Sequence, residues 1–397
     1  MATETSAVTV LDALLKEAHL LHASDVHLDP GASTLSARLR IDGTLKEVRK
    51  VPMKLHSEVI ARLKILAGLR IDEQQLPQDG RFRFEVSSEI HIDVRVAISP
   101  TYYGEHAVLR LLFSSHALST LESLGFSEAH QLLLRKALAR PHGMILVTGP
   151  TGSGKTSTLY ALLHLLNSRE LSIVTIEDPI EYALDGINQI PVRSHVPVRA
   201  YGGLSFSEAL RSVLRQDPNV IAVGEIRDAE AASLAIHAAL TGHLVLSTLH
   251  TTDAPTAIVR LMDMGIEPYL IASTISIIIN QRLVRRLCEK CKFLSMLRDD
   301  QIAVIALIFG PEVVFEKVYE SAGCKACGGT GATGRIGVFE IMQMNTELRD
   351  ATIQKTTARD LFTLAVTHGM LPLLDDGIRK ASEGIVHVDE VLALATE

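Results

Sequence analysis

Apolar residues recur two apart at Leu35, Ala37, Leu39 and Ile41, and the run stops at Asp42-Gly43, a dipeptide suited to tight turns between strands. A hairpin is expected there. The alternation returns in Phe82, Phe84 and Val86 and in Ile90, Ile92, Val94, Val96 and Ile98, with Arg81, Arg83, Asp93 and Arg95 on the opposite parity. Those four charges belong to one exposed sheet face. A helix-periodic stretch from about Val10 to Leu21 comes first, so residues 1–114 read as a small α/β domain and the polar residues 115–120 as a linker. From Leu121 short apolar runs at 144–147, 172–176, 220–223 and 244–247 alternate with helix-length segments. Runs of that kind are buried parallel strands, and they predict a three-layer α/β core over 121–280. The chain then turns basic and cysteine-bearing over 281–345 and regains helical apolar spacing over 346–397.

Composition narrows the class. The 397 residues are 47% hydrophobic and 21% charged, ample for ordinary cores. The apolar stretches 269–279 and 302–309 fall short of the roughly 20 residues of a membrane span. The first residues lack the charged start of a secretory signal, so a cytoplasmic protein is expected. A net charge of −7 argues against a bulk nucleic-acid binder.

The segment Gly149, Pro150, Thr151, Gly152, Ser153, Gly154, Lys155, Thr156 fits G-x-x-x-x-G-K-[ST], between an expected strand and the helix-compatible run opening at Ser157. Glycines let backbone amides converge on phosphates in front of a helix N-terminus. Lys155 meets the outer phosphates, and Thr156 holds Mg²⁺. Glu225 ends the apolar run 220–223 and is the candidate base; Glu177, Asp178 and Glu181 follow the run ending at Ile176 and would leave the same edge of the sheet. His243 and His250 bracket the run 244–247. The guanine-reading string N-K-x-D is missing, which disfavours GTP.

All four cysteines fall in two pairs, Cys288/Cys291 and Cys324/Cys327, separated by residues 292–323. Two CxxC turns close a tetrahedral zinc site with no open position, which makes the site structural. The patch Arg282, Arg285 and Arg286 ahead of them reads as the solvated end of a helix.

Taken together these strings resemble the secretion ATPase family that drives type II secretion and type IV pilus assembly. Residues 175–182 (TIEDPIEY) look like the family's aspartate box, in which acids help hold metal and water. Residues 214–218 leading into 224–228 (GEIRD) look like its atypical Walker B, with Glu225 catalytic. Residues 241–251 (TGHLVLSTLHT) look like its histidine box, proposed to sense nucleotide. Residues 23–30 (ASDVHLDP) and 76–81 (LPQDGR) match strings of its N-terminal domain.

The resemblance implies a PAS-like α/β domain followed by a RecA-like P-loop ATPase core, a zinc subdomain and a C-terminal helical segment. It further implies ATP, Mg²⁺ and Zn²⁺ as cofactors, a homohexameric ring, and a membrane platform as partner. Arginines would reach the phosphates: Arg81 and Arg95 from the first domain, Arg211 and Arg215 from the core. An arginine delivered to a transferring phosphoryl group contributes roughly 10³ to 10⁵ in rate.

The chain departs from the pattern at Asp72–Gln75, where many members have a run containing arginines, at Thr252 and at Ala332, and it opens at the PAS-like strings where secretion and pilus assembly members usually carry a further domain. The expected function is a cytoplasmic ATPase motor for secretion or pilus assembly, peripheral to the inner membrane. The rivals are a DNA-translocating or conjugation ATPase, against which the PAS-like strings and zinc pairs argue, and a nucleotide-dependent assembly module without turnover.

Overall fold

The structure is a computed structural model that describes residues 6–88, 90–113, 120–192, 204–310 and 317–395. Of the expected linker only Thr120 lies among them. The chain divides into two compact units, Met1–Ala117 and Leu118–Glu397.

In the first unit six strands form one antiparallel sheet: β1 (Asp25–Pro30), β2 (Thr34–Ile41), β3 (Thr44–Pro52), β4 (Gln78–Glu85), β5 (His91–Thr101) and β6 (Gly104–Phe113), in the order β3-β2-β1-β6-β5-β4. The helices Ala7–Leu20 and His56–Ala67 bring Leu11, Leu14, Leu15, Ile60 and Leu63 to the inward residues Val26, Leu28, Leu39, Val94 and Leu109. Ser6 caps the first helix by accepting from the Thr9 amide. The expected hairpin is present: Ile41 pairs with Thr44 around Asp42 and Gly43, both at positive φ, the backbone that a two-residue turn with the right twist needs.

In register, Arg81 stands opposite Arg95, Arg95 opposite Arg110, Arg110 opposite Asp25 and Asp25 opposite Arg40. Facing partners share a sheet face, so five strands contribute to one polar row. Arg83 and Asp93 pair on the same parity, as the alternation predicts.

The second unit is built on a seven-stranded sheet of β7 (Gly143–Thr148), β8 (Ile173–Glu177), β9 (Asn188–Pro191), β10 (Val220–Val223), β11 (Leu244–Leu249), β12 (Ile275–Leu287) and β15 (Ala332–Gln343), in the order β15-β12-β7-β11-β10-β8-β9. A separate ribbon pairs β13 (Lys292–Ser295) with β14 (Val318–Ser321). The six strands from β12 to β9 run parallel, and β15 is antiparallel to β12. β7, β10 and β11 are buried throughout, which is why their sequences read as continuous apolar runs.

One face packs the helices Phe206–Val213, Ala229–Leu240 and Ala254–Asp263 around Phe206, Ile236, Ile258 and Leu261. The other packs Glu128–Leu138 and Lys155–Leu166 around Leu134, Leu159 and Leu163. A third cluster joins Val284, Ile336 and Val338 of β12 and β15 to Ile305 and to Ile378 and Val391 of the last helices.

One feature corrects the sequence reading. Arg282, Arg285 and Arg286 lie on β12, not at a helix end; β-branched Ile275, Ile277, Ile278, Ile279 and Val284 fit a pleated, buried surface. The C-terminal helices are part of the core. Asp376, fully buried, accepts from the Phe339 amide of β15 at 3.0 Å and pairs with Lys380 at 2.6 Å, while Lys380 donates to the Gly337 carbonyl. The boundary drawn after residue 280 falls within β12.

Candidate functional site

The loop 149–154 joins β7 to the helix Lys155–Leu166, and its glycines are required by geometry. Gly149 sits at φ +138, where a Cβ would lie 2.4 Å from the Gln281 carbonyl oxygen and 2.6 Å from Ser153 Oγ. Gly154, at φ +88, has Gln281 Nε2 2.7 Å from the place a Cβ would occupy. Gln281 of β12 is thus the floor of the loop, and its Oε1 accepts from Thr158 Oγ1 at 2.7 Å. Ser153 Oγ and Gln281 Nε2 are buried with no hydrogen-bond partner among the described residues. A donor-rich loop with buried polar atoms left over fits a phosphate chain.

Lys155 folds back onto this loop, donating to the carbonyls of Gly149 at 2.8 Å and Pro150 at 2.9 Å. Burial pulls its pKa down to about 8, against the opposing pull of Glu225 and with a smaller push from Arg282. Its Nζ stands 3.5 Å from His250 Nδ1, and His250 Nε2 stands 3.4 Å from Glu225. The other Glu225 oxygen accepts from Arg227. Burial raises the Glu225 carboxyl, but the Arg227 guanidinium and His250 outweigh it and leave the pKa below the ordinary value.

The backbone behind Glu225 is held on both sides: the Gly224 amide donates to the Ile176 carbonyl, and Thr248 Oγ1 donates to the Gly224 carbonyl. Lys155, His250, Glu225 and Arg227 therefore form one line across the carboxyl ends of β7, β11 and β10, the edge at which open α/β sheets bind ligands. Pro150, Thr151, Gly152, Thr156 and Ser157 are exposed there.

The acids after β8 divide. Glu177 is buried and accepts from Tyr160, from Thr175 Oγ1 at 2.5 Å and from Gln189 Nε2 at 3.0 Å. Burial of the Tyr160 phenol, reinforced by the neighbouring Glu177, pushes its pKa far up. Glu177 is thus neither a solvated loop acid nor at hand for a metal; it ties β8 and β9 to the helix Lys155–Leu166. Asp178, half-buried, faces Arg227 electrostatically, and the Glu181 amide donates to Tyr160 Oη.

His243 is not brought to the site. It precedes β11, with Nδ1 at 3.0 Å from the Ala238 carbonyl, while His250 follows that strand; seven residues of strand span roughly 20 Å. Arg211 pairs with Glu230, and Arg215 is exposed beyond the helix Phe206–Val213. Arg81 and Arg95 lie in the polar row of the first unit. In that row Arg110 and Arg40 flank a buried Asp25, with Arg110 Nε donating at 3.0 Å, a pairing the sequence reading missed because the strand register was needed to find it.

The four cysteines meet as expected. Cys288 and Cys324 sulfurs are 3.8 Å apart, Cys324 and Cys327 3.8 Å, Cys291 and Cys327 3.9 Å, and no disulfide joins them. Sulfurs bonded at about 2.3 Å to a tetrahedral centre stand about 3.8 Å apart, so the set fits zinc. Backbone amides of Cys324 and Gly331 point at Cys327 Sγ and favour its thiolate. Among the described residues no helix is long and apolar enough to cross a membrane.

Comparison with known proteins identifies the family. Residues 2–393 match the family described as type II/IV secretion system protein. The type IV pilus assembly ATPase PilB of Myxococcus xanthus is 42% identical over 391 residues, covering 98% of this chain and 68% of that protein. PilB of Thermus thermophilus is 41% identical over 99% of this chain but only 43% of its own length, and type II secretion system protein E of Pseudomonas aeruginosa is 42% identical over 98% and 76%. Among solved structures, the pilus retraction motor PilT with bound ADP is similar over 98% of this chain and 97% of its own, with a TM-score of 0.63 and 26% identity. The ATPase DotB of Legionella pneumophila shares the fold, at a TM-score of 0.73 and 21% identity over 100% of this chain and 98% of its own. The chain belongs to the type II/IV secretion system protein family, as an ATPase of the group that includes secretion protein E and PilB.

Proposed function

We propose that this chain works as a ring of six copies that hydrolyses Mg-ATP to drive type II secretion or type IV pilus assembly from the cytoplasmic face of the inner membrane. The line Lys155–His250–Glu225–Arg227 beside the phosphate loop is the observation that carries this reading. ATP with Mg²⁺ supplies the phosphoryl group and the charge neutralisation that transfer needs.

The chain's own residues do the rest. Lys155 exchanges its two loop carbonyls for phosphate oxygens, Thr156 takes the metal, and Glu225 accepts the proton of the attacking water. Glu225 is ionised at neutral pH, as a base must be, yet both its oxygens are occupied. Release of Arg227 or His250 then precedes proton abstraction. Asp178 and Glu181 support metal and water, while Glu177 keeps β8 in place. Arg81 and Arg95 with Arg211 and Arg215 would complete the site of a neighbouring copy. Zinc closes the Cys288, Cys291, Cys324, Cys327 cluster. A platform protein in the membrane receives the motion, and nucleic acid has no part in it.

The test is phosphate release from Mg-ATP per subunit as protein concentration rises, with Lys155→Ala as the blank. Specific activity that climbs with concentration supports a site completed between copies. Activity independent of concentration down to the monomeric range would overturn the ring.

A further inference from the structure

The string 24–30 (SDVHLDP) contains chemistry that the ATPase site does not use. His27 and Asp29 are two apart on β1 and so share a sheet face. β6 runs antiparallel beside them, with His27 opposite Val108 and Leu28 opposite Ala107, and the next step along that register brings His106 to Asp29. His106 Nε2 is 3.1 Å from Asp29 Oδ1, and the two imidazole rings lie 6.2 Å apart between centroids. The three donor atoms all fall within 4.8 Å of one another.

We infer that His27, Asp29 and His106 form a second metal site, for a divalent cation of borderline softness such as Zn²⁺, with one coordination position left to water or an added ligand. A tetrahedral centre with bonds of about 2.1 Å separates its ligands by about 3.4 Å, so rotation of the side chains closes the set without moving the strands. Two imidazoles and one carboxylate are the donors such a cation takes, and three protein ligands leave an open position, unlike the closed cysteine site. The carboxylate is already oriented from behind: Arg38 Nε donates to Asp29 Oδ2 at 2.6 Å and leaves Oδ1 facing the histidines. His106 and Asp29 are 27% and 29% exposed, open enough for a cation to enter. Bound there, the metal would cross-link β1 to β6, the central pair of the sheet.

The test is the zinc content of the full chain after equilibrium dialysis against zinc buffered in the micromolar range, read by inductively coupled plasma mass spectrometry. Wild type is expected to hold two zinc ions per chain. His27→Gln and His106→Lys are expected to hold one; the lysine places a hydrogen-bond donor opposite Asp29, so the fold is retained while the imidazole ligand is lost. Cys288→Ser is expected to drop to the ion of the histidine site alone, and His237→Ala, an exposed histidine elsewhere, to stay at two. One zinc ion in wild type, with Cys288→Ser holding none, would overturn the site. Two ions retained in His106→Lys would overturn it as well, since the second ion would then lie elsewhere.

Discussion

The His250 imidazole lies 3.4 Å from the Glu225 carboxylate. Its other ring nitrogen is 3.5 Å from Lys155, so one side chain reports on both the phosphate-binding lysine and the base. Glu225→Gln keeps the shape and removes the proton acceptor. Since a positioned base contributes roughly 10² to 10⁴ in rate, steady-state phosphate release is expected to fall by that factor while ADP affinity stays near wild type. Near-normal turnover would remove Glu225 from the role. Arg227→Gln takes away the guanidinium that offsets burial of the carboxylate. The acid limb of its rate profile is expected to move to higher pH.

Lys155 supplies a second prediction through its pKa of about 8, set by burial. At a pH near 6.5 the ammonium is already charged, and binding a nucleotide moves no proton onto it. At about pH 9 it is mostly neutral in the free protein, and phosphates favour the charged form, so binding takes up a proton. Affinity for Mg-ADP should accordingly weaken above pH 8. Calorimetry in buffers of different ionisation enthalpy reads the uptake directly; an enthalpy independent of buffer at about pH 9 would contradict the assignment.

The cysteine cluster predicts a metal that resists mild dialysis. Zinc sites of this kind are worth roughly 10 to 16 kcal/mol at neutral pH, and the two-stranded ribbon β13–β14 between the pairs has little core of its own. Cys324→Ser is expected to lose that zinc and to make the ribbon β13–β14 sensitive to limited proteolysis, with the β7–β11 core unaffected. Protease resistance equal to wild type would mean that the metal does not organise this segment.

How far the sequence could be read depended on whether local pattern or long-range pairing decided the structure. The phosphate loop, the β2–β3 hairpin and the buried strands β7, β10 and β11 were legible because turn chemistry and apolar runs act within a few residues. β12 was not. Its apolar half read as an interrupted stretch and its arginine half as a helix end, because its partners β7 and β15 lie far along the chain. Gln281 was missed for the same reason: only the folded sheet places it beneath Gly149 and Gly154. His243 and His250 looked equivalent in sequence as brackets of one strand, yet a strand has two ends, and only the carboxyl end of β11 faces the phosphate loop. Glu177 looked like its neighbours Asp178 and Glu181. It lies within the strand, where the Tyr160 hydroxyl draws its carboxylate into the core.

Glu340 carries the last prediction. It lies on β15, 2% exposed, and accepts from the Ala254 amide at 2.8 Å and from the Leu373 amide, so it joins the first turns of two helices, one of which follows the His250 loop. Burial pushes its pKa up to about 7, only partly opposed by those amides. The folded state therefore binds a proton that the unfolded chain releases near pH 4.5. This group's contribution to stability is full below that value, declines as pH rises to about 7 and is level beyond; the whole change is on the order of 3 kcal/mol. Glu340→Gln keeps an oxygen for Ala254 but cannot ionise, so the difference in unfolding free energy between wild type and variant should shift toward the variant by that order between about pH 5 and pH 8. Urea unfolding at the two pH values measures it. Curves that stay parallel would mean that Glu340 is ionised throughout and is held by its two amides alone.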